Sequence, residues 1–159
     1  MEIVLNPPRS AVARLCETGW VSDDTANAAT SFLRTAMPLC ATLAMRCTRN
    51  ERAGVDLELD WAPELCTAGG ALHGGAVMAL ADSAGGALAF ANLPAGADGT
   101  STIESKTNFL RGVRSGTVRA EARVLHAGGT TIVVETEVRD DQGRLVAKTT
   151  QTQAVLRPR

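Results

Sequence analysis

Two short features of the 159-residue chain carry residue types that could do chemistry. The first is Asp82, which stands among Ala79, Ala81, Ala84, Gly85, Gly86 and Ala87 in the mostly small and apolar stretch from Gly74 to Ala91. A carboxylate in such a stretch must be neutralised, hydrogen-bonded or opened to a cavity. Gly85-Gly86 adds to the case, because each glycine inside a helix costs about 1 kcal/mol relative to alanine and calls for a packing or close-approach reason. The second feature is Leu72-His73-Gly74-Gly75 at the head of the same stretch. The first turn of a helix has unpaired N–H groups at the positive end of the dipole, and glycines let a ligand reach them, so this is a candidate cradle for an oxyanion or a phosphate. Each feature also has a purely structural reading. Asp82 fits a buried acid satisfied by Ser or Thr, Gly-Gly fits a turn, and His73 fits a core or capping histidine.

Helical spacing joins the two. Three and four residues from Asp82 lie Met78 and Ala79 on one side and Gly85 and Gly86 on the other, with Gly75 at minus seven. The acid therefore faces a trough of small residues, open to a sheet backbone, a partner subunit or a ligand, with Gly75, Met78 and Gly86 as candidate contact positions. Composition agrees: 26 Ala and 15 Gly stand against five aromatic residues and no Tyr, and six of the glycines fall between residues 69 and 86.

The elements that must position these residues follow from patterning. Residues 1–38 read as an N-terminal helical extension, with helices over Ser10 to Glu17 and Asp23 to Thr35, the second closed by Pro38. Residues 39–159 read as the main domain. Leu39 to Thr48 alternates, and Val55, Leu57, Leu59 and Trp61 alternate more cleanly against Asp56, Glu58 and Asp60, which predicts two strands. The helix from Gly74 follows. Thr100 to Arg111, Thr117 to His126, Thr130 to Arg139 and Arg144 to Leu156 then read as four strands, parted by Gly112, Ser115-Gly116, Gly128-Gly129 and Asp140-Asp141-Gln142-Gly143. Two strands, a long helix and four strands make one α+β domain, an antiparallel sheet of about six strands around one central helix.

Several classes are excluded. A formal net charge of −1 with five scattered aromatics lacks the basic stripe and stacking platform of a nucleic-acid binder. His73 and His126 have no Cys or His at ligand spacing, so no metal is expected. Cys16, Cys40, Cys47 and Cys66 contain no C-x-x-C pair and read as small core residues of a reducing compartment. The opening residues lack the basic and apolar regions of a secretory signal, which makes the cytoplasm the expected location. Residues 74–91 reach the lower length limit of a membrane span, but Asp82 at the centre argues for a buried helix of a soluble protein, with no membrane partner.

The run His73-Gly74-Gly75-Ala76-Val77-Met78-Ala79-Leu80-Ala81-Asp82, with a small-residue helix after it and a strand ending Thr107-Asn108-Phe109-Leu110-Arg111, resembles the hotdog-fold acyl-CoA thioesterases of the phenylacetate-degradation type over roughly residues 39–156. The resemblance implies that the Gly74 N–H polarises the thioester carbonyl and that Asp82 is general base or nucleophile. His73 then shapes the turn. Thr67 stands where the family commonly has Asn or Gln, and Thr102 is the nearest match to a strand Ser or Thr that orients water. No cofactor is implied.

Gly74 and Asp82 lie eight residues apart, about 12 Å along one helix. A carbonyl cradle and its attacking group must both come within roughly 3–4 Å of one thioester, so two helices are needed. A two-fold homodimer with antiparallel central helices supplies them at the subunit interface, and the resemblance implies the same dimer, often paired into a homotetramer. Arg111, Arg114, Arg119 and Arg144 are the candidate contacts for the coenzyme A phosphates, against a reading of each as a solvated sheet charge. An apolar slot of Ala, Leu and Met accommodates either an aryl or a medium aliphatic acyl group. Three other readings stay open: a hydratase or dehydratase of acyl thioesters on the same fold, a non-catalytic acyl-CoA binding or sensing module, and a structural dimerisation module.

Overall fold

Between a Gly-Gly pair and Asn92 the chain has no β-branched residue except Val77, and it forms a single uninterrupted helix from Gly74 to Ala91. In the computed structural model, which describes residues 23–158, this helix is the centre of the molecule. Two helices precede it, α1 (Asp23–Ala36) and α2 (Pro38–Thr42), then strands β1 (Arg46–Glu51) and β2 (Gly54–Asp60) and a 3-10 turn at Pro63–Leu65. The central helix is α3 (Gly74–Ala91), and β3 (Gly99–Phe109), β4 (Thr117–Ala127), β5 (Thr131–Asp140) and β6 (Leu145–Leu156) follow. The strands form one antiparallel sheet in the order β1-β2-β4-β5-β6-β3, which leaves β1 and β3 at its edges. This is the hotdog architecture expected from the sequence. The helix predicted over Ser10 to Glu17 lies outside the described residues.

The sheet encloses α3. Val55, Leu57 and Leu59 of β2, Val118 and Ala120 of β4, and Ile132, Val134 and Val138 of β5 point inward at period two and are at most 1% exposed. They meet Leu80, Ala81, Ala84, Leu88 and Ala89 of α3, all fully buried. By length and composition α3 could cross a membrane, yet this face is the core of the fold. Across the outer face, rows of opposite charge pair instead, including Arg119 with the nearly buried Asp56 at 2.6 Å and Lys148 with Glu135 at 3.0 Å.

One expectation is corrected. Leu39 to Thr48 is not a continuous strand: Pro38–Thr42 is helical and β1 starts only at Arg46. Pro38 takes the first helical turn, where its missing N–H costs nothing, and Met37 before it is extended (φ −129°, ψ 89°), as a residue preceding proline prefers. The chain leaves α2 through Ala44 in the left-handed region (φ 54°), and the Met45 N–H donates to the Cys40 carbonyl at 2.8 Å, a Schellman closure that resets the alternation. Leu39 is consequently 54% exposed while Cys40 and Met45 are buried. α1 packs on β1, with Arg34 Nε donating to the Met45 carbonyl and the Cys47 N–H donating to Thr30 Oγ1. Cys40 and Cys47 are free and buried; burial pushes the Cys47 thiol up to about 11 and raises that of Cys40.

Candidate active site

The start of α3 is held from several sides. The loop before it turns at Thr67–Ala71, where the Thr67 N–H donates to the Ala71 carbonyl and the Gly70 N–H to the Thr67 carbonyl. Trp61 Nε1 donates to the Gly70 carbonyl, and the Arg114 guanidinium donates to that of Gly69. Leu72 N–H bonds the Val113 carbonyl and His73 N–H bonds that of Leu65, both at 2.8 Å. His73 is the N-cap: its backbone is extended and its Nδ1 accepts from the Gly75 N–H at 2.9 Å. Ala76 and Val77 N–H groups return to the His73 carbonyl. This leaves the Gly74 N–H without an acceptor among the described residues, at the positive end of the dipole.

Gly74 lines a pocket of about 400 Å³ whose apolar walls include Leu72, Val77, Val113, Val146 and Phe109, with the exposed Arg111 on its lining. The Phe109 ring lies close over Gly74, so that a Cβ there would stand 3.1 Å from the ring. Of the four arginines considered for coenzyme A, Arg111 is thus beside Gly74, and Arg114, on the connection between β3 and β4, bonds the loop that leads into it. Arg119 and Arg144 are engaged elsewhere, with Asp56 and Asp140.

Asp82 is one turn before Gly86, half-buried, and does not line that pocket. Its Oδ1 accepts from Thr102 Oγ1 at 3.0 Å and from Gln151 Nε2 at 3.2 Å, and among the described residues nothing bonds Oδ2. Thr102 is delivered by an irregularity in β3. Its register partner on β6 is Gln153, but the next pair is Glu104 with Thr152, so Ile103 is bulged out and 63% exposed. Gln153 Nε2 in turn donates to Thr102 Oγ1 at 2.7 Å. Thr102, read from the sequence as a residue that orients water, here bonds the acid itself.

Gln151 and Gln153 were not singled out from the sequence. Both are at most 1% exposed on the inner face of β6. Lys148-Thr149-Thr150-Gln151-Thr152-Gln153 has no apolar alternation to tell its two faces apart. The available signal was the reverse of the usual one: a β-strand with two glutamines at period two in a domain whose central helix carries an unsatisfied acid.

The two trough glycines differ. A Cβ at Gly85 would fall 2.5 Å from Gln151 Oε1, whereas at Gly86 it would meet nothing within 4 Å. Met78 is 39% exposed on the outward side of the helix, and Gly75 is exposed with its N–H taken by His73. Thr67 is exposed in its turn. The structure thus gathers Asp82 with Thr102, and Gly74 with His73 and Phe109, as two half-sites on one helix.

Comparison with known proteins agrees with this fold. Residues 69–147, which span both half-sites, match the family model of the thioesterase superfamily. A protein of Saccharolobus solfataricus named as an esterase is 37% identical over 107 residues, covering 67% of this chain and 75% of the relative. Among solved structures, a Mycobacterium tuberculosis protein also named as an esterase superposes with a TM-score of 0.74 at 28% identity, covering 77% of this chain and 99% of the other. A Pseudomonas aeruginosa thioesterase, solved as a glutamine-to-alanine variant, gives the same score at 27% identity over 80% of this chain and 93% of its own.

Proposed function

Because the chain belongs to the thioesterase superfamily, we propose that it hydrolyses acyl-CoA thioesters, with an aryl or medium-chain acyl group, to the free acid and coenzyme A. The observation that carries this reading is the pairing of an unsatisfied Gly74 N–H beside an apolar pocket with an Asp82 carboxylate that has one oxygen tied down and the other free. The thioester carbonyl oxygen accepts from Gly74, which stabilises the negative charge that develops there. Asp82 Oδ2 takes the proton of an attacking water, or itself attacks the carbonyl carbon. The carbon–sulfur bond then breaks and coenzyme A leaves as its thiolate, with Arg111 the nearest arginine for its phosphates; where Asp82 is the nucleophile, water then hydrolyses the acyl–aspartyl anhydride to release the acid and restore the carboxylate.

A single helix separates the two half-sites by about 12 Å, too far for one thioester. We assign the working unit to a two-fold homodimer, alone or paired into a tetramer, in which Gly74 faces Asp82 of the partner subunit. The open side of Gly86, the partly exposed Met78 and Phe90 on α3, and the unpaired edge of β3 with Ile103 exposed support such a contact. The buried thiols of Cys40 and Cys47 suit a reducing, cytoplasmic compartment.

The test is a thiol-release assay over aryl and aliphatic acyl-CoAs, with Asp82→Asn alongside and sedimentation of both proteins. Thiol release that falls about 10²–10⁴-fold in the variant, with the dimer and melting temperature retained, is the expected result. Full turnover by Asp82→Asn would remove the acid from the mechanism, and tight acyl-CoA binding without thiol release across the panel would favour the binding module.

A further inference from the structure

The hydrogen bonds around Asp82 have a fixed direction. A glutamine NH2 group only donates, so Thr102 Oγ1 accepts from Gln153 and spends its one proton on Asp82 Oδ1. Gln153 is itself oriented by Thr100, whose hydroxyl lies 3.1 Å from Gln153 Oε1 and 3.0 Å from the Ala154 carbonyl. Gln151 Nε2 makes the second bond to Oδ1 and reaches the Asp82 carbonyl at 3.4 Å, while Gln151 Oε1 is buried with no partner. Turning that amide over would aim its oxygen at the carboxylate. Gly85 clears the space that lets the amide lie against the helix.

Resting on the thioesterase reading above, we propose that Gln151 and Gln153 are positioning residues of the hydrolytic site. Through Nε2 of Gln151 and the hydroxyl of Thr102 they fix the Asp82 carboxylate so that Oδ2 alone is presented to the thioester or its water. The donor set suits an acceptor-only group, and both donors meet the same oxygen. A carboxylate at the end of a free rotor would spread its lone pairs over several directions, whereas catalysis needs reacting atoms held in near-attack geometry. Thr102, with its proton committed, acts on the acid rather than on water.

The test measures kcat and KM for Gln151→Met, Gly85→Ala and the double variant Gly85→Ala/Gln151→Ser. Gln151→Met keeps the volume and loses the donor; kcat is expected to fall 10- to 100-fold with KM within about twofold of the parent. Gly85→Ala drives the amide off the helix and is expected to lower kcat and melting temperature together. In the double variant the shorter side chain relieves the crowding, so melting temperature recovers while kcat stays low. Recovery of kcat along with stability, or an unchanged kcat in Gln151→Met, would overturn the proposal and leave Gln151 a packing residue. If the wild-type protein releases no thiol, the thioesterase reading fails separately. The order of the Asp82 carboxylate in crystals of Gln151→Met then decides: a single orientation identical to the parent counts against positioning, and multiple orientations count for it.

Discussion

Gly85 lies directly beneath the Gln151 side chain, so close that a Cβ on it would stand 2.5 Å from both Cδ and Oε1 of the amide. The next residue, Gly86, has open space where its Cβ would go. Two adjacent glycines that are equal defects by helix propensity thus do different things. One lets a buried amide of β6 reach Asp82, and the other leaves the outer side of the helix clear. The arrangement carries a local penalty, since an unpartnered buried carbonyl such as Gln151 Oε1 costs about 1–3 kcal/mol. An apolar residue at 151 would avoid it. The site is held in its geometry at the expense of stability, which is the usual direction of that trade.

His73 caps the helix through Nδ1, and a nitrogen that accepts from the Gly75 N–H carries no proton of its own. Its role is then to hold the first turn, which asparagine can reproduce with a side-chain oxygen. His73→Asn is expected to keep kcat within several-fold of the parent. His73→Ala should cost about 1 kcal/mol and lower the melting temperature by about 2–4 °C. Calorimetry and thiol release on the two variants check this. An asparagine variant as inactive as Asp82→Asn would mean that the imidazole takes part in the chemistry.

Ala44 closes α2 with φ 54°, the only non-glycine residue at positive φ among those described. An L-residue with a Cβ pays about 1–2 kcal/mol in that region, and glycine does not, although its looser unfolded chain returns part of the gain. Ala44→Gly is expected to stabilise the protein by up to about 1 kcal/mol without changing kcat. Denaturant unfolding monitored by circular dichroism reads the difference, and a lower midpoint would show that the Schellman closure is not limited by the Ala44 backbone.

The sheet was legible because its strands obey period two: Val55, Leu57 and Leu59 against Asp56, Glu58 and Asp60 fixes both the element and its inward face. The helix was legible because Ala and Gly fill it without β-branching and a His-Gly-Gly start marks its head. Alternation failed at Leu39 to Thr48, where the apolar residues repeat every two positions but Pro38 nucleates a helical turn that shifts the phase. Of the candidate site, Asp82, Gly74, His73 and Thr102 were visible as motif positions. Gln151 and Gln153 were not, because a side chain 69 residues away in sequence meets Asp82 only through the pairing of β6 beneath the helix. Nothing local in sequence encodes that register.

Asp60 ties β2 to both of its neighbours, accepting from Arg46 on β1 at 2.5 Å and from Thr117 on β4 at 2.7 Å. The Arg46 hydrogen bond is the largest of the effects that lower its carboxyl from the ordinary 3.8 to about 2. A folded-state pKa below the unfolded one gives stability that is present above about 3.8 and is lost as pH falls toward 2. The side chain is 57% exposed, so solvent and salt screen the contribution to at most about 1 kcal/mol. Asp60→Asn should therefore lie below the parent in melting temperature at pH 5 and converge on it near pH 2. A gap of the same size at both ends would assign the loss to packing rather than to charge.

The sharpest test of the Gly74 N–H uses the one residue that removes it and still suits the helix. Gly74 is the first helical residue after the His73 cap, the position at which proline is favoured because its missing N–H has no helical partner. His73 before it has φ −64° and ψ 136°, the extended conformation that a residue preceding proline adopts. The obstacle is Phe109, whose ring would stand 3.1 Å from the new Cβ, so the substitution belongs in a Phe109→Leu background that serves as its own control. Phe109→Leu with Gly74 intact is expected to keep measurable turnover. Adding Gly74→Pro should then lower kcat by about 10²–10³-fold, the usual effect of deleting one oxyanion donor, while melting temperature and oligomeric state hold. Gly74→Ala in the same background adds the Cβ and keeps the N–H, so it should retain most of the activity. If alanine and proline were equally damaging, crowding of the pocket would account for both, and the carbonyl oxygen would have to find its donor elsewhere on the first turn.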